Sequence, residues 1–177
     1  VILPAELIQQ NNDSRYKPEM DGVDHINVHT WSKTPLGKLL AAEADCRFQH
    51  PEFGPFRSIN AFYFWVTHVN VPDEIRDAYG TKMQQRFGRF KVRQIGNLNE
   101  LVIGAHIAKI SQNVALIKML RDCILPFTCY YTNKAGLIIE VPARQPLLQF
   151  LEEYRAYIQR GCKPSEFSYK TQDTDQY

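Results

Sequence analysis

The chain has 177 residues, 44% hydrophobic and 23% charged, with 21 Lys and Arg against 19 Asp and Glu for a net charge of +2. That length builds one domain with a sizeable core rather than two, and the composition is that of an ordinary soluble globular protein. The near-neutral balance argues against a dedicated nucleic-acid binder, and no uninterrupted 18-residue apolar run is present to read as a membrane span.

The first 22 residues carry Pro4, Asn11, Asn12, Asp13, Pro18 and Gly22 and read as an extended N-terminal arm. They lack a basic stretch followed by a long apolar one, so they do not read as a signal peptide. A single globular domain is expected over 23–160, followed by a polar C-terminal tail, 161–177. "DHINVHT" alternates, with Ile26 and Val28 on one face and His25, Asn27 and His29 on the other, which predicts a strand. In "SKTPLGKLLAAEA", Thr34 is a helix cap with Pro35 at the first helical position. "CRFQHPEFGPF" predicts a short strand and a turn through Pro51, Gly54 and Pro55.

Next comes "FRSINAFYFWV", a helix capped by Ser58 whose aromatic run, Phe62 to Trp65, contains one isolated amide, Asn60. "NVPDEIRDAYGTKMQQRFGR" predicts a further helix, with Asp73 and Glu74 in its first turn and Gly80 and Gly88 bounding its end. From Asn97, which forms a capping-box-like start with Glu100, residues Ile103, Ile107, Ile110, Val114 and Ile117 recur at helical spacing. One long central helix of roughly 40 Å is expected there. "PFTCYYTNKAGLIIEV" predicts a hairpin, and Pro146 opens a last helix with Leu147, Leu151, Tyr154 and Ile158 in a stripe. The order predicts an α+β fold, helix-dominated, with a small antiparallel sheet.

Few constellations carry chemistry. Cys46, Cys123, Cys129 and Cys162 form no CxxC pair and read as free thiols. His25 and His29 share a strand face but lack a third ligand at a supporting spacing, so neither a metal nor another cofactor is expected. His106, beside the long apolar stripe, reads as a satisfied interior histidine. Ser32, Ser58 and Ser111 lack a nucleophile-elbow context. In "KMQQRFGRFKVRQIG", Lys82, Arg86, Arg89, Lys91 and Arg93 alternate with Phe87, Phe90 and Val92. That pattern suits either a solvated connector or a loop whose guanidinium groups fork onto phosphate oxygens.

Five segments in order resemble the NADAR family, named for its association with NAD and ADP-ribose: "INVHTWSKTPLGKLL", "FRSINAFYFWV", "QRFGRFKVRQ", "AKISQNVALIKMLRD" and "LLQFLEEYRAYI". The resemblance spans about residues 26–158 and implies a NADAR-like fold. It also implies binding or N-glycosidic cleavage of ADP-ribose or a related nucleotide glycoside, with Arg86, Arg89, Lys91, Arg93 and Tyr63 as ligand contacts. Asn60 stands where the family's signature has a glutamate. A carboxylate there can take a proton from water or balance an oxocarbenium ion, and an amide can do neither. Ala41 stands near the family's ribose-contacting asparagine, and the hairpin lacks the family's Asp-x-Trp-Gly. Glu43 and Asp45, beside the altered turn, are the candidate substitutes, so the catalytic candidates are Asn60, Glu43 and Asp45.

The family's association with phage and bacterial conflict systems implies a cytoplasmic setting, that of a bacterial host if the gene is phage-encoded. Two alternatives remain. One is a catalytically inactive NADAR-like fold used as a protein-interaction module, with the aromatic run as the interface. The other is a weak nucleic-acid binder acting through Arg86 to Arg93.

Overall fold

A computed structural model of the chain describes residues 16–169 together with Gln9 and Gln10. The expected arm and tail fall partly outside that range, at 1–8, 11–15 and 170–177. In chain order the elements are β1 (Gln9–Gln10), β2 (Ile26–Asn27), α1 (Pro35–Leu40), β3 (Phe48–His50), β4 (Gly54–Phe56), α2 (Ile59–Thr67) and α3 (Met83–Phe87). There follow α4 (Leu98–Ser111), α5 (Val114–Asp122), β5 (Phe127–Thr128), β6 (Tyr130–Thr132), β7 (Ile138–Glu140) and α6 (Gln145–Gln159). The architecture is α+β and helix-dominated. The strands form three small sheets: β1-β7-β6, the parallel pair β2-β5, and the β3-β4 hairpin.

Local chemistry accounts for the helix starts. The Thr34 hydroxyl accepts the Gly37 N–H at 3.0 Å, and the Ser58 hydroxyl accepts the Ala61 N–H at 3.0 Å. Each caps its helix in the predicted way. The Asn97 side chain makes no such bond, so its arm of the expected capping box is not formed. Gly37 is the one glycine in α1 that close approach demands. A Cβ there would meet the Asn27 carbonyl and the Ser32 hydroxyl, each at 2.3 Å. That closeness lets α1 lie directly on β2.

Two expected helices are shorter than their patterns suggested. The stretch from Pro72 forms only a 3₁₀ turn, Asp73–Asp77, before the brief α3. Gly80, at φ +87°, takes a left-handed conformation that a helix cannot contain. The run from Asn97 likewise divides into α4 and α5. Asn113 adopts extended angles (φ −116°, ψ 100°) and turns its side chain to accept the Leu116 N–H at 3.0 Å. An Asn side chain competes with helical hydrogen bonding in this way, and the apolar periodicity running through it gave no sign of the break.

The strand faces also differ from expectation. His25, Ile26, Asn27 and Val28 are all buried, on both faces, because β2 pairs in parallel with β5 inside the molecule. The Asn27 side chain extends that pairing. Its Nδ2 donates to the Tyr130 carbonyl and its Oδ1 accepts the Tyr130 N–H, both at 3.1 Å.

α4 runs between two apolar cores. Ile103 and Ile110 pack with Leu36, Leu40, Leu116, Leu120, Phe150 and Tyr154. Ala105 and Ala108, on the opposite side of the helix, pack with Phe48, Phe56, Phe62 and Phe64. The aromatic run of α2 therefore points largely inward. Phe62 and Phe64 are buried, while the half-buried Trp65 lies against Phe53, Phe56 and the Arg76 guanidinium.

Replacing Asn113 by Ala removes the α5 cap and is expected to cost about 1 kcal/mol, whereas Asn113→Asp keeps the acceptor and most of the stability. Urea unfolding of the two variants checks the difference.

Candidate functional site

The site is built where the chain leaves α1. Three successive carbonyls are held by three different elements. Ala41 O accepts from Lys109 Nζ of α4 at 2.9 Å, Ala42 O from the Asn60 N–H of α2 at 2.9 Å, and Glu43 O from the Gly80 N–H at 2.8 Å. The backbone that carries Glu43 is thus fixed on each side. Its half-buried carboxylate makes no hydrogen bond or ion pair among the described residues.

Asn60, only 5% exposed, is the second residue of α2. Ser58 already serves as that helix's cap, so the amide is not needed for capping. Its Oδ1 is buried with no donor among the described residues. An unsatisfied buried acceptor costs about 1–3 kcal/mol, which the fold must offset elsewhere.

α4 supplies two more unusual groups at the seam between the cores. Lys109 is fully buried, and its only hydrogen bond among the described residues is to Ala41. Burial lowers its pKa to about 8, with Cys46 and Glu43 pulling weakly the other way. His106 sits three residues earlier, on the same side of the helix. It is fully buried, and neither ring nitrogen has a partner among the described residues. Burial first, then the positive charges of Lys109 and Arg144, holds it well below its ordinary pKa. The expectation of a satisfied histidine is corrected here: the imidazole is enclosed, with no hydrogen bond among the described residues.

Arg144 closes the set. It ends a 3₁₀ turn (Pro142–Arg144) ahead of α6 and is half-buried, and its guanidinium makes no hydrogen bond or ion pair among the described residues. Glu43 and Arg144 both lie close enough to His29 and to Cys129 to act on them electrostatically. Burial lowers His29, Glu43 opposes that and Arg144 adds to it. Burial raises Cys129 to about 11, Arg144 opposing and Glu43 adding. A cleft of about 200 Å³ opens beside Arg144, lined also by Tyr63, Asn99, Val102, Ile103 and Leu147.

The structure distributes the sequence candidates unevenly. Tyr63, three residues beyond Asn60 and so on the same side of α2, lines that cleft. Asp45 is exposed and engaged by Arg57 through two bonds of 2.7 Å, which hold its carboxyl below the usual range. The basic segment lies at the far end of α2. Val69 N–H donates to Lys91 O and Arg93 N–H to Thr67 O, each at 2.8 Å. Asn60 and Thr67 are roughly 10 Å apart along the helix axis. Arg86 pairs with Glu74 at 3.3 Å, the Arg93 Nε donates to Val66 O at 2.7 Å, and Arg89 lies over Phe90. Lys91 is exposed.

His25 bonds to Asp24 and, at 2.9 Å, to the Tyr130 hydroxyl, while His29 Nδ1 accepts the Trp31 N–H. Among the described residues no group of three or more His, Cys, Asp or Glu could hold a metal, and no helix is long and apolar enough to cross a membrane.

In shape the chain is similar to the Escherichia coli protein YbiA, solved by NMR, with a TM-score of 0.56 over 89% of this chain and 100% of that one. The fold is NADAR-like. Sequence identity between the two is 13%, which speaks for the fold alone. No family model and no curated protein matches the sequence.

Within this NADAR-like frame, sequence reasoning missed Lys109, His106 and Arg144. Lys109 lay within a quoted segment, but it falls off the apolar stripe. Its burial follows from α4 being covered on several sides, which a one-faced pattern does not anticipate. Arg144 carried no signal.

His106 yields a pH prediction. Its folded pKa lies below its unfolded value, so its share of stability is complete above about pH 6.5 and falls as pH drops below that, by up to about 1.4 kcal/mol per pH unit. His29, His50 and His68 are lowered by burial and act in the same direction. His106→Leu should therefore lose less stability than the parent between pH 7.5 and 5.5, as read by denaturant melts at the two values.

Proposed function

We propose that the chain binds a nucleotide glycoside of the ADP-ribose type between the Glu43 turn, to which Asn60 is bonded through Ala42, and the cleft that Arg144 and Tyr63 line. The observation that carries this reading is the Asn60 Oδ1, enclosed without a donor among the described residues, next to a turn whose Glu43 carboxylate is likewise unpaired among them. Unmatched buried polar groups cost stability in the free protein, and a ligand that satisfies them returns that cost as affinity. A ribose hydroxyl supplies the donor Asn60 lacks. Arg144 supplies the cation for a phosphate, and Tyr63 a ring along the cleft.

Asn60 cannot act as the family's glutamate does, because an amide neither ionises nor takes a proton from water near neutral pH. Hydrolysis of the N-glycosidic bond would fall to Glu43, whose carboxylate forms no ion pair among the described residues, whereas Asp45 is committed to Arg57. Glu43 would accept a proton from the attacking water as the bond from C1″ to the base breaks. In a phage or bacterial conflict setting, such a site would sequester or remove an ADP-ribose signal. The interaction-module and nucleic-acid alternatives draw no comparable support. The aromatic run is packed largely inward, and Arg86 and Arg93 are engaged by Glu74 and the Val66 carbonyl.

ADP-ribose at about 100 times its Kd adds roughly 2.7 kcal/mol and should raise the midpoint of thermal unfolding by roughly 5–11 °C. The shift should vanish in Asn60→Ala and Arg144→Ala and persist in Asp45→Ala. Glu43→Gln should still bind ADP-ribose, but should release no free base from an N-glycoside that carries a base on C1″, where the parent does. An unchanged midpoint in the parent protein at millimolar ADP-ribose would overturn the reading.

A further inference from the structure

Trp31 is 68% exposed, a large indole left in solvent, yet the turn that carries it is firmly held. The Trp31 N–H donates to His29 Nδ1 at 3.2 Å and the Ser32 N–H to the His29 carbonyl at 2.9 Å. The buried Asp21 carboxylate fastens the rest. It accepts the Lys33 N–H at 2.6 Å, the Ser32 hydroxyl at 2.8 Å and the Asn27 N–H at 2.9 Å. A surface turn with no task needs none of these bonds. Here they present one aromatic face to water in a fixed position, the arrangement expected of a binding anchor.

The rings around it complete a surface. Trp31 lies 5.3 Å from the His29 ring, and His29 in turn stacks on Tyr131 at 6.2 Å and 25°. A cavity of about 80 Å³ opens among these three rings, with Asn27, Lys33 and Thr132 also on its wall. Its size admits the edge of a ring rather than a whole one, and its lining is both aromatic and polar. An aliphatic group would leave those polar groups unmatched. A flat heteroaromatic ring offers a face to the indole and hydrogen-bonding atoms at its edge.

We infer that Trp31, His29 and Tyr131 form a stacking platform for a nucleobase, the base of the same nucleotide whose sugar reaches the Asn60 site. This rests on the ligand class proposed above and extends it to a second, separately testable subsite. His29 is the shared wall. It belongs to the platform and also lies within electrostatic reach of Glu43 and Arg144. Because its Nδ1 accepts the Trp31 N–H, the neutral ring carries its proton on Nε2 and presents that edge as a donor. Lys33, at the rim, supplies a cation for a phosphate.

The test measures intrinsic fluorescence in a Trp65→Phe background, where Trp31 is the remaining tryptophan, and calorimetric affinity for ADP-ribose in otherwise unaltered protein. AMP and ADP-ribose should quench Trp31, and ribose 5-phosphate should not. Trp31→Ala should weaken ADP-ribose binding roughly ten- to a hundredfold, while Trp31→Phe retains most of it. An unchanged Kd in Trp31→Ala, or ribose 5-phosphate binding as tightly as AMP, would overturn the platform. If Asn60→Ala abolishes binding while Trp31→Ala leaves the Kd unchanged, the platform falls and the Asn60 site stands. If no nucleotide binds the parent, both fall. A single-stranded oligodeoxyadenylate that binds far more tightly than AMP, with affinity collapsing as salt rises, would overturn the assignment to a small-molecule ligand.

Discussion

The hydrogen bond from Lys109 to the Ala41 carbonyl holds the candidate site together. It joins the central helix to the turn after α1, and it does so with a side chain that is costly to bury. A pKa lowered from 10.5 to about 8 corresponds to a penalty on the order of 3 kcal/mol at neutral pH. A structure that needed only to close this turn could do so with an apolar side chain. Lys109 instead fixes the turn while keeping a positive charge near Glu43, and the Asn60 N–H fixes the neighbouring carbonyl from the other side. The orientation of Glu43 depends on both.

The two-core arrangement makes this possible. α4 presents isoleucines to one core and alanines to the other, so its remaining side faces neither fully. Lys109 and His106 occupy that seam. Polar groups there sit among elements from both halves: α1 and its turn, α2, and the segment before α6. A single core would bury this side against apolar partners alone. The seam therefore gathers buried polar groups that cost stability and that have chemistry to offer. The stability lost to His106, Asn60 and Lys109 is the kind a bound ligand restores.

Much of the scaffold was legible from local chemistry. Thr34 with Pro35, and Ser58 before the aromatic run, marked helix starts because a hydroxyl at a cap acts over three residues and needs no tertiary context. The 130–140 hairpin was legible for the same reason. The break at Asn113 was not, since the apolar periodicity continues through it and one side chain's choice of partner decides the matter. The position of Asn60 at the start of α2 was legible as an anomaly, but its meaning was not. Whether an amide caps, bonds or stands unsatisfied depends on neighbours such as Ala42 that are distant in sequence. Glu43 and Asp45 looked equivalent in the chain, and only the approach of Arg57 separates them. Arg144 and Lys109 were invisible as site residues because burial from several sides is a property of the assembled fold.

On the proposed reading, the seam around Lys109 and Glu43 accepts an anionic ligand and is not a packing compromise. Proton linkage tests it most directly. At pH 8 Lys109 is about half protonated, so an anionic ligand entering beside it should draw a proton onto it. Calorimetric titration of ADP-ribose in two buffers of different ionisation enthalpy should show fractional proton uptake at pH 8 that shrinks toward pH 7, where the lysine is already mostly charged. Binding with identical heats in the two buffers at pH 8 would place the ligand away from Lys109 and contradict the account.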